Sequence, residues 1–188
     1  MAIKIEKNFQ VKEPIEKVWL LLSDPRKVVT CVPGAQITEQ IDDSNYKGSI
    51  SVKVGPSVTD YKGAIQIVHL DEQAHEIEIL GKGQDVRGKG SASMKMTGKL
   101  RALEEGGTDV ISISELNVVG ILAQMGARVI TEVSNIMFEK FTSNFRQQLE
   151  TPENGASEVS AETAAPEPIS GVSVAMSALK AAITRHKK

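Results

Sequence analysis

From Tyr46 to Val118 the chain is written largely in period two. Tyr46, Gly48, Ile50, Val52 and Val54 alternate with Lys47, Ser49, Ser51 and Lys53. Successive side chains of a strand point to opposite faces, so this segment reads as a half-buried strand. The same alternation places Tyr61, Gly63, Ile65 and Ile67 on one side of a second strand. Ile77 and Ile79 mark another, and Val110 to Val118 closes the series. Between them Ala92, Met94, Met96, Gly98, Leu100 and Ala102 alternate with Ser93, Lys95, Thr97, Lys99 and Arg101. Gly55-Pro56, the turn around Glu72 and Gly106-Gly107 punctuate the runs. With Ile3 to Val11 and Ile37 to Ile41 the count reaches about seven strands. Their short connections predict an antiparallel meander.

Helical signals flank this series. Pro14 suits the first position of a helix ending near Leu22, since its missing N–H is unneeded there. Asp24-Pro25 reads as the cap and first position of a second short helix that ends by Pro33-Gly34. After the strands, one long helix is expected from Ile121 to Leu149, with Leu122, Met125, Val129, Val133, Ile136, Met137, Phe141 and Phe145 at helical spacing. Gly120 and Gly126 weaken its first turns. The expected fold is α+β: a seven-stranded curved antiparallel sheet wrapped around a long C-terminal helix. If the sheet curls strongly, one helix cannot fill the trough and a cavity remains. Small inward residues (Gly48, Gly63, Ala92, Gly98) and adaptable methionines fit that picture. A plain packed core accounts for the same pattern.

Composition divides the chain. Residues 150–168 hold five glutamates, no basic residue and three of the seven prolines, the make-up of a disordered acidic linker. Residues 169–188 hold four basic residues and no acid. Subtracting -5 and +4 from the formal net charge of -2 leaves the domain of residues 1–149 at about -1. That gives no basic field for nucleic acid. The amino end, with Lys4, Glu6 and Lys7, lacks the apolar run of a signal peptide. No apolar stretch reaches roughly 18 residues, so a cytoplasmic protein is expected, peripheral on the inner face of the cell membrane.

The chemical motifs are sparse. The single cysteine, Cys31, offers no internal disulfide or multi-cysteine metal site. His69, His75 and His186 form no HExxH arrangement. The glycine-rich run 81–90 has neither phosphate-binding spacing, and it leads into a strand. Glycines at close backbone approaches explain it. A partner-contact loop projecting Lys82, Asp85, Arg87 and Lys89 is the alternative. No flavin, nicotinamide, haem or iron–sulfur motif is present. No metal, catalytic residue or covalently bound cofactor is therefore expected.

Five segments, in order, carry a family likeness: Cys31-Val32-Pro33-Gly34-Ala35; Tyr46-x-Gly48 with Val52-Lys53-Val54-Gly55-Pro56; Tyr61-x-Gly63; Gly81 to Ala92; and Leu122-Ala123-Gln124-Met125-Gly126. They resemble the CoxG-like family of carbon monoxide dehydrogenase subunits, within the START and birch-pollen-allergen helix-grip superfamily. The resemblance covers residues 1–149. It implies a helix-grip fold with an apolar cavity, and association with a molybdenum hydroxylase of the carbon monoxide dehydrogenase type. It also implies a role in recruiting that enzyme to the membrane.

In the tail, Ile169, Val172, Met176, Leu179 and Ile183 form one helical stripe. Lys180 faces elsewhere, and Arg185, His186, Lys187 and Lys188 collect at the end. Such a helix suits a membrane surface. A groove on a partner protein is the competing site. Pocket residues are expected on the helix face Leu122, Met125, Val129, Val133, Ile136 and Met137, opposite Val32, Ile50, Val52, Ile65, Met94 and Met96. The expected function is a non-catalytic accessory that carries a lipophilic molecule, with a non-covalently bound quinone the natural cargo. Recruitment without a ligand is the alternative. A helix-grip enzyme for an apolar substrate ranks third, because it needs a convergent acid–base pair among inward positions that are almost all apolar.

Overall fold

A computed structural model describes residues 1–55 and 57–150. The elements run β1 (Ala2–Val11), α1 (Ile15–Leu22), α2 (Pro25–Cys31), β2 (Ala35–Gln40), β3 (Asn45–Val54), β4 (Ser57–Asp71), β5 (Glu76–Asp85), β6 (Gly90–Ala102), β7 (Thr108–Gly120), α3 (Ile121–Gln124) and α4 (Ala127–Glu150). The strands form one antiparallel sheet in the order β1-β7-β6-β5-β4-β3-β2. It is a meander from β2 to β7, closed at its far edge by β1. The expected C-terminal stripe from Ile169 to Ile183, its basic cluster and all but the first residue of the acidic linker lie outside the described residues. Among those described, no helix is long and apolar enough to cross a membrane.

The sheet curls where side chains are missing. Gly48 of β3 faces Gly63 of β4, and Gly63 faces Gly83 of β5, so three glycines stand side by side across three strands. A Cβ on Gly63 would lie 1.9 Å from the Lys82 carbonyl oxygen, and one on Gly48 would lie 2.5 Å from that of Gln36. Only glycine permits backbones to approach this closely.

One end of the curled sheet is a packed core. Phe9, Val11, Ile77, Leu100 and Val110 from the strands meet Val18, Trp19 and Leu21 of α1, Cys31 of α2, and Phe145 and Leu149 of α4. The Phe9 ring stands edge-on to Phe138, Phe141 and Phe145, with centroids 5.7, 6.1 and 5.6 Å away. The fully buried Thr108 donates its hydroxyl to the Glu13 carbonyl at 2.8 Å, pinning the corner between β1 and α1. Pro14 occupies the cap of α1 with extended backbone, so the helix begins at Ile15, one position later than expected. α2 is fixed to α4 by the Asn144 side-chain amide donating to the Cys31 carbonyl at 3.1 Å.

Asp24 caps α2, accepting the Arg26 N–H at 3.0 Å. Burial disfavours its charged form, but hydrogen bonds and charge from Arg26 outweigh this and hold the carboxyl below its ordinary 3.8. A depressed folded pKa means that this contribution is present above the ordinary value and lost as pH falls through the folded one. Asp24→Ala is expected to cost about 1 kcal/mol. Thermal melts at neutral pH should show the loss, and the gap to wild type should close in acid.

The long helix differs from expectation. It breaks at Met125-Gly126, where Gly126 takes φ +86°, leaving the single turn of α3 before the 24 residues of α4. α4 ends at Glu150, one residue past the expected boundary. The break separates Leu122 and Met125 from the rest of the expected stripe, of which Phe141 and Phe145 on α4 pack in the core. Ile130, Thr142, Phe145 and Leu149 are its buried residues, whereas Ile136 is 50% exposed.

Candidate functional site

The cross-strand register lays the concave face out in rows. One row runs Ile3, Leu116, Met94, Gly81, Ile65, Tyr46, and the next runs Ile5, Ser114, Met96, Ile79, Ile67. Beyond the first, toward the end away from the packed core, lies Val118, Ala92, Gly83, Gly63, Gly48. That row has a bare backbone over three strands. α4 meets the sheet at β1 and at β3, strands on opposite sides of it, and so bridges the trough. Ile3, Ile5, Ile50, Val52, Ile65, Met94, Met96 and Leu116 line this stretch and are all only half-buried. The packed core fills one end, and at the other the glycine row leaves backbone bare beside the buried Val118, Tyr61 and Val54.

Lys7 sits where these halves meet. It shares the inward parity of Ile3, Ile5 and Phe9 and faces Ser112 across the β1–β7 ladder. Its ammonium donates to Asn135 Oδ1 of α4 and lies 5.5 Å from the centre of the Phe138 ring. Among the described residues no carboxylate pairs with it. Half-burying a cation costs solvation unless something compensates, and here an amide and an aromatic face do so. Ser112 and Ser114 stand beside it on the same face. Lys7 is not among the expected pocket residues; parity along β1 is the signal that marks it.

The expected pocket residues divide accordingly. Ile50, Val52, Ile65, Met94 and Met96 share the concave face, and Val32 is half-buried between α2 and β2. Leu122, Val129, Val133 and Met137 are half-buried, while Met125 at the helix break and Ile136 are exposed. Ile130 and Phe138 take inward places on α4 beside the expected Phe141 and Phe145, while Ile136, nine residues before Phe145, falls on the opposite side of the same helix.

Of the glycine-run residues, Lys82 lies exposed on the convex side of β5, and Arg87 and Lys89 are exposed on the β5–β6 turn. Asp85 does not project. It is buried, opposite Tyr61, and its Oδ1 accepts the Arg87 N–H at 2.6 Å. Its role is to close the turn. Burial, reinforced by Asp85, pushes the Tyr61 phenol up and keeps it protonated. On the convex face behind the glycine row a depression of about 540 Å³ is walled by polar groups, among them Lys62, Lys82, Gln84, Ser91 and Ser93. It offers little to an apolar molecule. Burial also pushes the Cys31 thiol up, against a hydrogen bond with Thr30, so it is a poor nucleophile.

The model of the CoxG family, described as a carbon monoxide dehydrogenase subunit, matches residues 8–150. Among solved structures, a conserved protein from Geobacillus kaustophilus superposes with TM-score 0.71 at 19% identity, covering 78% of this chain and 95% of its own. A START superfamily protein from Mycobacterium smegmatis gives 0.56 at 11%, covering 78% and 97%. The ZhuI aromatase/cyclase from Streptomyces sp. R1128 gives 0.53 at 13%, covering 79% and 92%. At these identities the likeness establishes a shared helix-grip fold. No curated protein matches the chain significantly.

Proposed function

This chain belongs to the CoxG family of carbon monoxide dehydrogenase subunits, and from that membership we propose that it serves a molybdenum hydroxylase of the carbon monoxide dehydrogenase type by holding a lipophilic molecule and bringing the enzyme to the membrane. The observation that carries the reading is the set of half-buried apolar side chains on the concave face, with the glycine row beside them. A quinone suits it, because a redox enzyme discharging into a bilayer needs a membrane-soluble acceptor. The ring would enter first, one carbonyl oxygen accepting from Lys7 where the packed core begins, and the isoprenoid chain would trail over the glycine floor. The C-terminal stripe from Ile169 to Ile183 would hold the protein at the bilayer.

An enzymatic role has less to stand on. The buried inward carboxylate, Asp85, is committed to a backbone N–H, and its neighbour Tyr61 is held neutral. Neither is arranged as an acid–base pair.

Mass spectrometry of organic extracts from the full-length protein, purified gently from native membranes, tests the reading. A stoichiometric quinone or other long-chain lipid supports the carrier; an empty protein leaves recruitment alone. Lys7→Met is expected to weaken quinone binding about tenfold or more, because a hydrogen bond from a charged donor is lost. Lys7→Arg should retain most of the affinity. Fluorescence titration with a short-chain quinone would read both, and equal affinity in all three proteins would remove Lys7 from the site.

A further inference from the structure

The end of the trough away from the packed core is rimmed by three loops. The Val86 N–H donates to the Asp60 carbonyl at 2.9 Å, joining the β5–β6 turn to β4 beside the β3–β4 connection. The Ile121 N–H donates to the Lys89 carbonyl at 3.1 Å, joining the same turn to the start of α3. Beside these loops Val58 at the start of β4, Val86 on the turn, Val119 near the end of β7 on the convex side, and Ile121 and Met125 at α3 are each 37–56% accessible. Lys53, Arg87 and Lys89 are exposed among them, and none is paired with a carboxylate among the described residues. The two carboxylates here are used within the fold: Asp60 accepts the Ser51 hydroxyl and Asp85 closes its turn.

We infer that this rim is a docking face for an anionic lipid surface. Apolar side chains standing singly on separate segments, interleaved with cations, have the composition of an interfacial membrane contact. The centre of a protein–protein interface is instead depleted of charge. The rim is also continuous with the trough, since Val52 and Ile50 follow the β3 tip inward on the concave face. The inference rests on the carrier reading for its purpose: a mouth pressed against a bilayer gives a lipophile a route that avoids water. It is separate from the C-terminal stripe proposed above as an anchor.

The test uses the full chain carrying Leu179→Asp, so that the tail does not mask the rim, and sedimentation with phosphatidylcholine vesicles containing phosphatidylglycerol. Adding Arg87→Gln with Lys89→Gln is expected to lower vesicle affinity about thirtyfold, two cations at about 1 kcal/mol each. The loss should fade in salt and vanish on vesicles of phosphatidylcholine alone. Val86→Asp with Ile121→Asp should abolish binding while the thermal melt is kept. Unchanged vesicle affinity in both pairs overturns the inference. So does unchanged vesicle affinity with lost binding of the partner hydroxylase, which would make the rim a protein interface. Vesicle binding that needs the rim in a protein whose extracts hold no lipophile would sink the carrier and leave the docking face standing.

Discussion

Phe145→Ala is expected to lower the thermal midpoint of the domain by roughly 10 °C. The side chain is 0% exposed and joins three parts of the fold. Its ring meets Phe9 of β1 edge-on at 5.6 Å and stacks on Phe141 at 5.6 Å, 26° from parallel. It also stands in the cluster that unites α1, α2 and the strands. Truncating a buried phenylalanine costs about 3–5 kcal/mol, the transfer term plus the cavity left behind. In a domain of this size each kcal/mol moves the midpoint by about 2–4 °C. Phe141→Ala, at a half-buried ring, should cost clearly less. If the two variants melt together, the cluster is not centred on Phe145, and the division of the concave face into a packed end and an open end is misplaced. Ligand retention gives a second reading. Phe145 lies in the packed end, so Phe145→Ala held well below its midpoint should bind a quinone as the wild type does.

What is legible in the sequence is local. The alternation from Tyr46 to Val54 needs only the two-residue period of a strand, and the Asp24-Pro25 cap only the chemistry of a helix start. Motif order carries the family, because five short segments in sequence are harder to match by chance than any one of them. What is not legible depends on register. Each glycine of the row Gly48, Gly63, Gly83 reads as a strand glycine, and nothing within one strand says that the three stand abreast. Lys7 interrupts an apolar alternation, and reading the period from apolar residues alone passes over it. Gly126 is visible as a weak helix position. Its positive φ ends α3 and lets α4 begin anew, whereas Ile130 and Ile136, both on α4, fall on opposite sides of it by the helical turn alone. Asp85 looks like a projecting loop charge because the turn it closes takes shape only once β5 and β6 pair.

The glycine row yields the sharpest contrast available in this fold. Gly63→Ala is expected to destabilise by about 3 kcal/mol or more. The new methyl would stand 1.9 Å from the Lys82 carbonyl oxygen and 2.7 Å from the Gly83 Cα, both backbone atoms of the neighbouring strand. No rotamer relieves a backbone contact, so β4 and β5 must part, and the ladder bonds between them lengthen or break. Gly81→Ala, on the same concave face one row away, meets only the Met94 side chain, with Cε at 3.6 Å. There the methyl fits. Because glycine in a strand is less favourable than alanine by roughly 0.5–1 kcal/mol, that variant should be neutral or slightly stabilised. Urea denaturation of both, with slopes compared so that changes in compactness are seen, separates two accounts of the sheet. A large loss at Gly63 beside none at Gly81 means that close backbone approach curls the sheet and makes the trough. Equal effects would mean that the row is a matter of strand propensity, and the hollow on which the carrier reading depends would need another cause.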